Sequence, residues 1–372
     1  MSLREQALPG RYLKSLSPAE LAVCDGAGSF LQSAFWGTFK ARFGWQARGF
    51  LAGWGAGGVR PLLVLCRPLG PVLSFAYVPW GPELPNEQGV FMEQGLFHNT
   101  VSRQGALAEL AGALRPFFRD AAFIRFDPPW YTQGAEAFPP PLEKPFTRAA
   151  ADVQPPDSVL VDLDRPAAAV LESMKPKGRY NVRLAAKKGV TLRRAEDAEL
   201  PVFYGLFQET ARRDGISIHS LAYYQTLFSL SREYQGASVQ GMGARPDVRL
   251  YIAREGGEDL AAIIMLIRGR QAVYLYGASS DHKRNLMAPY GLQWKAMEEA
   301  QAAGCREYDL FGIPPRDDSN HPMAGLYRFK TNFGGTIIHR CGSWDYPYRP
   351  VMKRLFDAAW GIRKQLRSAK KR

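Results

Sequence analysis

One order of elements is written twice along this chain, and a repeat of that kind leaves few ways to fold. In the first half a helix is expected over 31–43, with Phe35, Phe39 and Phe43 on one stripe. Apolar segments follow at 46–54, 59–67 and 72–78, separated by glycine-rich turns, then a helix over 104–118 and a short strand over 123–126. That strand ends at Asp127-Pro128-Pro129. The second half repeats the sequence of elements: helices over 199–214 and 221–231, then strands over 248–254, 260–268 and 272–278, turned by Gly256-Gly257 and Gly269. A helix starting at Pro289 stops before Gly304, and a strand over 307–311 runs into Gly312-Ile313-Pro314-Pro315.

Helices, a three-strand meander, a helix and a last strand resemble the Gcn5-related N-acyltransferase (GNAT) fold. The expected fold class is therefore α+β, two such domains in tandem. A proline-rich stretch over 138–156, with Pro139-Pro140-Pro141 and Pro155-Pro156, can continue neither a helix nor a central strand and divides the halves. The first domain is placed at 1–150, completed by a C-terminal helix within 346–372, and the second at 157–345. Val351, Leu355, Ala359, Ile362 and Leu366 fall at helical spacing, which predicts that this helix docks, back on the first domain. No heptad-bearing hairpin is written in the second half, so no coiled-coil arm is expected.

The chain is 372 residues long and 46% hydrophobic, enough apolar surface for two cores, which excludes a disordered chain. Its longest apolar run, 260–267, is far short of a bilayer span, and the N-terminus lacks the apolar stretch of a leader, so a cytoplasmic protein is expected. Lys and Arg outnumber Asp and Glu by 48 to 35; either a polyanionic partner or a generally basic proteome explains that excess. The four cysteines, Cys24, Cys66, Cys305 and Cys341, stand apart and predict reduced thiols, with no metal site and no disulfide framework.

Two motifs fail instructively. Gly53-x-Gly55-x-x-Gly58 matches a dinucleotide fingerprint but precedes a strand, so it reads as a hairpin turn with no helix N-terminus to cradle a pyrophosphate. Before the helix at Pro289, where a CoA-dependent acyltransferase carries a glycine-rich loop, the chain reads Arg284-Asn285-Leu286-Met287-Ala288-Pro289. A methionine blocks close approach and a proline offers no N–H. An acyltransferase of this shape takes its acyl group from another carrier or has given up catalysis, and no cofactor is expected.

Between 175 and 194 the chain carries Lys175, Lys177, Arg179, Arg183, Lys187, Lys188, Arg193 and Arg194 with no acidic residue. On a helix, Arg179, Arg183 and Lys187 share a face, where they repel one another unless anions neutralise them. A solvated face beside a core stripe is the alternative.

The residues also resemble those of the FemABX family of aminoacyl-tRNA-dependent peptidoglycan transferases, in order and over nearly the whole chain. The resemblance is carried by Leu31-Gln32-Ser33 with Trp36-Gly37 and Lys40, by 177–183 with Lys188-Gly189-Val190, and by 209–215 with Tyr223-Tyr224. It continues in Tyr276-Gly277-Ala278-Ser279-Ser280 and Asp309-Leu310-Phe311-Gly312-Ile313, and is most specific in Tyr327-Arg328-Phe329-Lys330-Thr331-Asn332-Phe333-Gly334-Gly335. It implies an aminoacyltransferase that moves an amino acid from aminoacyl-tRNA to the stem peptide of a peptidoglycan precursor, either UDP-MurNAc-pentapeptide or a lipid-linked form. On this resemblance Lys40, Trp36, Tyr223 and Tyr276 hold the precursor, with His219 standing where an arginine is common. Phe329 and Lys330 sit at the tRNA acceptor end, with Arg179, Arg183 and Lys187 on the tRNA, and Asp127 lies near the attacking amine.

Aminolysis of an ester needs positioning and oxyanion stabilisation more than covalent help. Lys330 is the candidate for the second task; Asp127 is either a base for the amine or a cap beside Pro128. Two other readings stand beside this one. The first is an N-acyltransferase using a non-CoA acyl donor. The second is a non-catalytic RNA- or membrane-binding module whose tail, with Arg363, Lys364, Arg367, Lys370, Lys371 and Arg372, suits an anionic inner membrane surface. A monomer is expected.

Overall fold

A computed structural model describes residues 5–8, 11–54, 58–84, 100–236 and 243–369. In the first half, β1 (Glu5–Leu8), β2 (Arg11–Ser15), α1 (Ala34–Ala41), β3 (Gln46–Trp54), β4 (Val59–Pro68) and β5 (Ser74–Val78) precede α2 (Thr100–Leu114) and β6 (Ala121–Phe126). The strands pair in that order, antiparallel except for the parallel β5–β6 pair. The helix expected over 31–43 begins later, because Ser33 caps it by accepting from the Trp36 N–H; a 3-10 turn capped by Ser29 precedes it. Gly53 pairs with Val59 across β3 and β4, as a hairpin requires, and Gly55 lies outside the described residues.

The unbroken apolar run of β4 follows from helices on both faces of the sheet. Leu63 and Leu65 pack with the aromatic side chains of α1, while Leu62 and Val64 pack with Leu107, Ala111 and Leu114 of α2.

Two short strands, β7 (Tyr131–Gln133) and β8 (Thr147–Arg148), lead into the second half. There β9 (Asp157–Asp162), α3 (Ala167–Ser173), α4 (Pro176–Lys187), β10 (Thr191–Ala195), α5 (Leu200–Asp214) and α6 (Leu221–Gly236) precede the meander of β11 (Asp247–Glu255), β12 (Glu258–Arg268) and β13 (Gln271–Ser279). Then come α7 (Ala288–Ala302), β14 (Glu307–Asp309), α8 (Ala324–Thr331), β15 (Thr336–Arg340), β16 (Trp344–Pro347) and α9 (Pro350–Ala369). β12 is divided as β4 is: Ala262, Ile264 and Leu266 face α5 and α6, while Ile263, Met265 and Ile267 face α4 and α7. Each half is thus a GNAT-like layer of helices on a mixed sheet. Among the described residues no helical pair projects as an arm, since α5 and α6 both bury a face, and no helix is long and apolar enough to cross a membrane.

The sheets exchange strands in a way that a single division near 150 does not anticipate. β7 pairs with β15 in the second sheet, and β16 returns to pair with β6 in the first. Three residues are too few to read as a strand by alternation. Arg125 of β6 grips Asp345 of β16 through two bonds of 2.6 and 2.9 Å, and Lys353 of α9 approaches the same buried carboxylate at 3.0 Å. These charges also settle how α9 docks. It packs on β6 through Lys353 and Phe356, whose ring lies 5.1 Å from Phe123, and the expected stripe of Val351, Leu355 and Ile362 faces outward.

Candidate functional site

A cavity of about 550 Å³ opens where α8, the end of β13 and the residues after β14 converge. Lys330, near the C-terminus of α8, is buried in its wall. Its Nζ donates to the carbonyls of Phe311 and, at 2.8 Å, Gly312. Both residues adopt left-handed backbone, φ 51° and 46°, which folds the exit of β14 around the ammonium; glycine is needed at the second because a Cβ there would press Pro155. Burial lowers the Lys330 pKa to about 7, against the pull of the Asp309 carboxylate. Asp309 itself is fixed by the Ser158 hydroxyl, the Phe311 N–H at 2.7 Å and Arg340 at 3.2 Å. Arg340 in turn lies 3.9 Å from the ring centre of Trp80, so the first half buttresses the wall that holds Lys330.

Tyr276 lines the same cavity, and its hydroxyl shares a hydrogen bond with that of Tyr223 on α6. His219 stacks flat on Tyr223, with ring centres 3.8 Å apart and 12° between planes. On the other side Lys40 of α1 sits 5.6 Å from the ring centre of Tyr223, 5.6 Å from Trp36 and 5.8 Å from Trp45. An ammonium over three aromatic faces is held by their quadrupoles. No carboxylate pairs with Lys40 among the described residues, and burial, with the charge of Arg67 adding to it, lowers its pKa to about 8. Arg67, at the end of β4, lies 5.2 Å from the centre of the same Trp45 ring. Lys40 likewise adds to the lowering of His219 that burial begins. Three cationic or titratable donors within one another's fields make a place where an anion is favourable.

Five of the expected residues, Lys40, Tyr223, His219, Tyr276 and Lys330, thus form one continuous row, with Trp36 beneath Lys40 and Phe329 on the cavity rim beside Tyr290. Arg67 and Trp45 were not foreseen, because a lone arginine at a strand end carries no motif; only the fold sets it beside Lys40. The remaining expected residues lie elsewhere. Asp127 is buried, accepts from the hydroxyls of Tyr77 and Ser343, and lines neither this cavity nor the second one at the proline-rich seam. With both oxygens engaged it fastens β16 to the end of β6, an arrangement in keeping with the structural one of its two expected roles; burial raises its pKa to about 6. On α4, Arg179 and Arg183 both face Glu172 of α3, at 3.8 and 3.1 Å, so the chain supplies the counter-charge that the run itself lacks. Lys187 is exposed.

At the start of α7 the Met287 N–H closes on the Arg284 carbonyl and Pro289 has none. That turn lacks the run of free donors a CoA pyrophosphate needs, so its residues do not fit that cofactor.

The sequence profile of the FemAB family matches residues 143–236 and 247–359. The chain belongs to this family. FemAB relatives named lipid II:glycine glycyltransferase include that of Staphylococcus saprophyticus, 22% identical over 59% of this chain, and that of Staphylococcus haemolyticus, 21% identical over 55%. The match spans 64% and 62% of those relatives, less than two thirds of their length. A crystal structure of FemX superposes with a TM-score of 0.69 at 19% identity, over 93% of this chain and 99% of that one, and shows the same fold.

Proposed function

We propose that this FemAB protein transfers an amino acid from aminoacyl-tRNA to an amine on the stem peptide of a diphosphate-bearing peptidoglycan precursor, on the cytoplasmic side of the membrane. One observation carries the reading. A cation cluster of Lys40, Arg67 and His219, with no carboxylate partner among the described residues, leads through Tyr223 and Tyr276 into the cavity where Lys330 is held. Relatives that act on lipid II support it, since that substrate combines a diphosphate with a peptide.

In this reading the cluster takes the diphosphate, and the tyrosine pair lies along the stem peptide. Phe329 offers a face for the terminal base of the tRNA. The neutral amine attacks the ester carbonyl, a C–N bond forms, and the charge that develops on the carbonyl oxygen faces the Lys330 ammonium. The C–O bond to the ribose then breaks, and the proton lost by the amine goes to the departing hydroxyl. The ester is activated, so Lys330 and exact placement supply most of what is needed.

The test is to incubate the protein with charged tRNA, then separately with acyl-CoA, in the presence of UDP-MurNAc-pentapeptide, and to read the stem peptide by mass spectrometry. Mass gain from tRNA alone is expected. Gain from acyl-CoA, or none from any charged tRNA with soluble or lipid-linked precursor, overturns the proposal.

A further inference from the structure

Trp80 follows β5 with its backbone in the left-handed region, at φ 39°, a conformation that a bulky side chain rarely adopts. The peptide groups on either side leave it little choice. Gln32 donates to the Pro79 carbonyl at 2.7 Å, and the Gly81 N–H donates to the Asp127 carbonyl at 3.1 Å. A Cβ at Gly81 would meet the Gln32 side chain at 2.8 Å, so the turn is closed on that side as well. Strain that the surroundings enforce in this way points to a task for the side chain.

The ring shows what that task is. Trp80 belongs to the first half and is 3% exposed, yet two of its neighbours belong to the second. The Arg340 guanidinium lies 3.9 Å from its ring centre and the Phe311 ring 5.6 Å away. Both lead to Lys330. Phe311 offers its carbonyl to the Lys330 ammonium, and its N–H donates to one oxygen of Asp309 at 2.7 Å. Arg340 holds the other oxygen at 3.2 Å through Nη2. Its Nη1 is buried with no acceptor among the described residues, which leaves the negative face of the indole to hold that end of the guanidinium. Trp80 lines neither cavity, so whatever it does for the reaction it does through these two neighbours.

We infer that Trp80 is a positioning residue for acyl transfer: its ring clamps Phe311 and Arg340, so that the exit of β14 holds the Lys330 ammonium at one place in the cavity wall. An aliphatic side chain would fill the same space; what tryptophan adds is a face for the guanidinium. The inference rests on the proposed role of Lys330 at the developing oxyanion and extends it to a residue of the other half.

Trp80→Leu keeps apolar bulk and removes the face. With charged tRNA and UDP-MurNAc-pentapeptide, kcat should fall ~10²-fold at unchanged KM, the loss that about 1 Å of misplacement brings. Trp80→Phe restores a face and should recover at least about tenfold of it. The same substitution made beside Lys330→Met separates positioning from packing. Where the ammonium is already gone, Trp80→Leu should cost less than about threefold. Equal losses in both backgrounds, a rise in KM with kcat kept, or no recovery by phenylalanine overturns the inference.

A second measurement needs no turnover. Lys330 is acetylated with acetic anhydride across a pH series, and its peptide is quantified by mass spectrometry. The midpoint should lie at about 7 in the parent. In Trp80→Leu it should rise by about one pH unit, because a loosened seat admits water to the ammonium and frees Asp309 from Arg340. A midpoint that stays or falls overturns the inference. Should the parent modify no acceptor at all, the proposed activity fails, while the labelling still decides what Trp80 does for Lys330.

Discussion

Lys330→Met removes the ammonium while keeping a chain of similar length, and its consequences for stability and turnover point in different directions. Holding a charge at this position is costly: a fall from the ordinary 10.5 to about 7 corresponds, at ~1.36 kcal/mol per tenfold in proton affinity, to about 5 kcal/mol. The folded value lies below the unfolded one. The cost is therefore fully present below pH 7, shrinks between pH 7 and 10.5, and vanishes above that. Methionine removes it, but leaves the carbonyls of Phe311 and Gly312 without their donor, at ~1–3 kcal/mol each.

Near pH 6.5 these terms are of similar size, so wild type and variant should unfold within about 2 kcal/mol of each other. By pH 10 the wild type should lead by roughly 3 kcal/mol, because all but about 1 kcal/mol of its penalty has lapsed while the orphaned carbonyls remain. Urea unfolding followed by tryptophan fluorescence at the two pH values measures this. Turnover with charged tRNA should fall ~10²–10³-fold at unchanged KM, the loss expected for one oxyanion donor. A stability difference that ignores pH, or turnover kept within about tenfold, would refute the account of Lys330.

Arg67→Ala should raise KM for the diphosphate acceptor about tenfold with kcat unchanged, and Arg67→Lys should restore part of it; a kcat effect would show that Arg67 is not a binding residue. Asp127→Asn should keep turnover within a few-fold in steady-state assays, whereas loss of ~10²-fold would restore Asp127 as a base. Glu172→Gln releases Arg179 and Arg183 and should steepen the salt dependence of tRNA binding by about one to two in log–log slope; an unchanged slope removes α4 from the RNA path. Asp309→Asn withdraws the carboxylate that supports the charge on Lys330, so the alkaline limb of the kcat profile should move to lower pH. A limb that stays in place would separate Lys330 from that titration.

The repeat was legible because β4 and β12 are apolar on both faces and bounded by glycine turns, a local signal. The row from Lys40 to Lys330 was legible as well, through motifs whose order survives in the chain. What stayed hidden were partnerships across long separations. Nothing beside Asp127 announces Tyr77 and Ser343, and nothing in the basic run announces Glu172. The docking face of α9 was misjudged for the same reason: Lys353 reads as a solvent residue until Asp345, buried by an incoming strand, calls it inward. Hydrophobic spacing then selects the wrong side of the helix, because a buried charge network outweighs the apolar strip.

Asp127 and Asp309 occupy the same place in the two halves, one at the end of β6 and the other closing β14. Each accepts from the hydroxyl of a serine belonging to the adjoining antiparallel segment, Ser343 before β16 and Ser158 in β9. The repeated device is therefore a joint that pins an adjoining antiparallel strand, which in the first half is β16, crossing over from the second. What differs is the exit. After Asp127 come Pro128 and Pro129, which have no N–H to spare and fixed φ, and Asp127 turns to Tyr77 for its second donor. After Asp309 the chain bends through left-handed Phe311 and Gly312, and two carbonyls are exposed to one lysine. The same fold, written twice, thus closes its second exit around a buried lysine, whereas the prolines of the first leave Asp127 to its two hydroxyl partners.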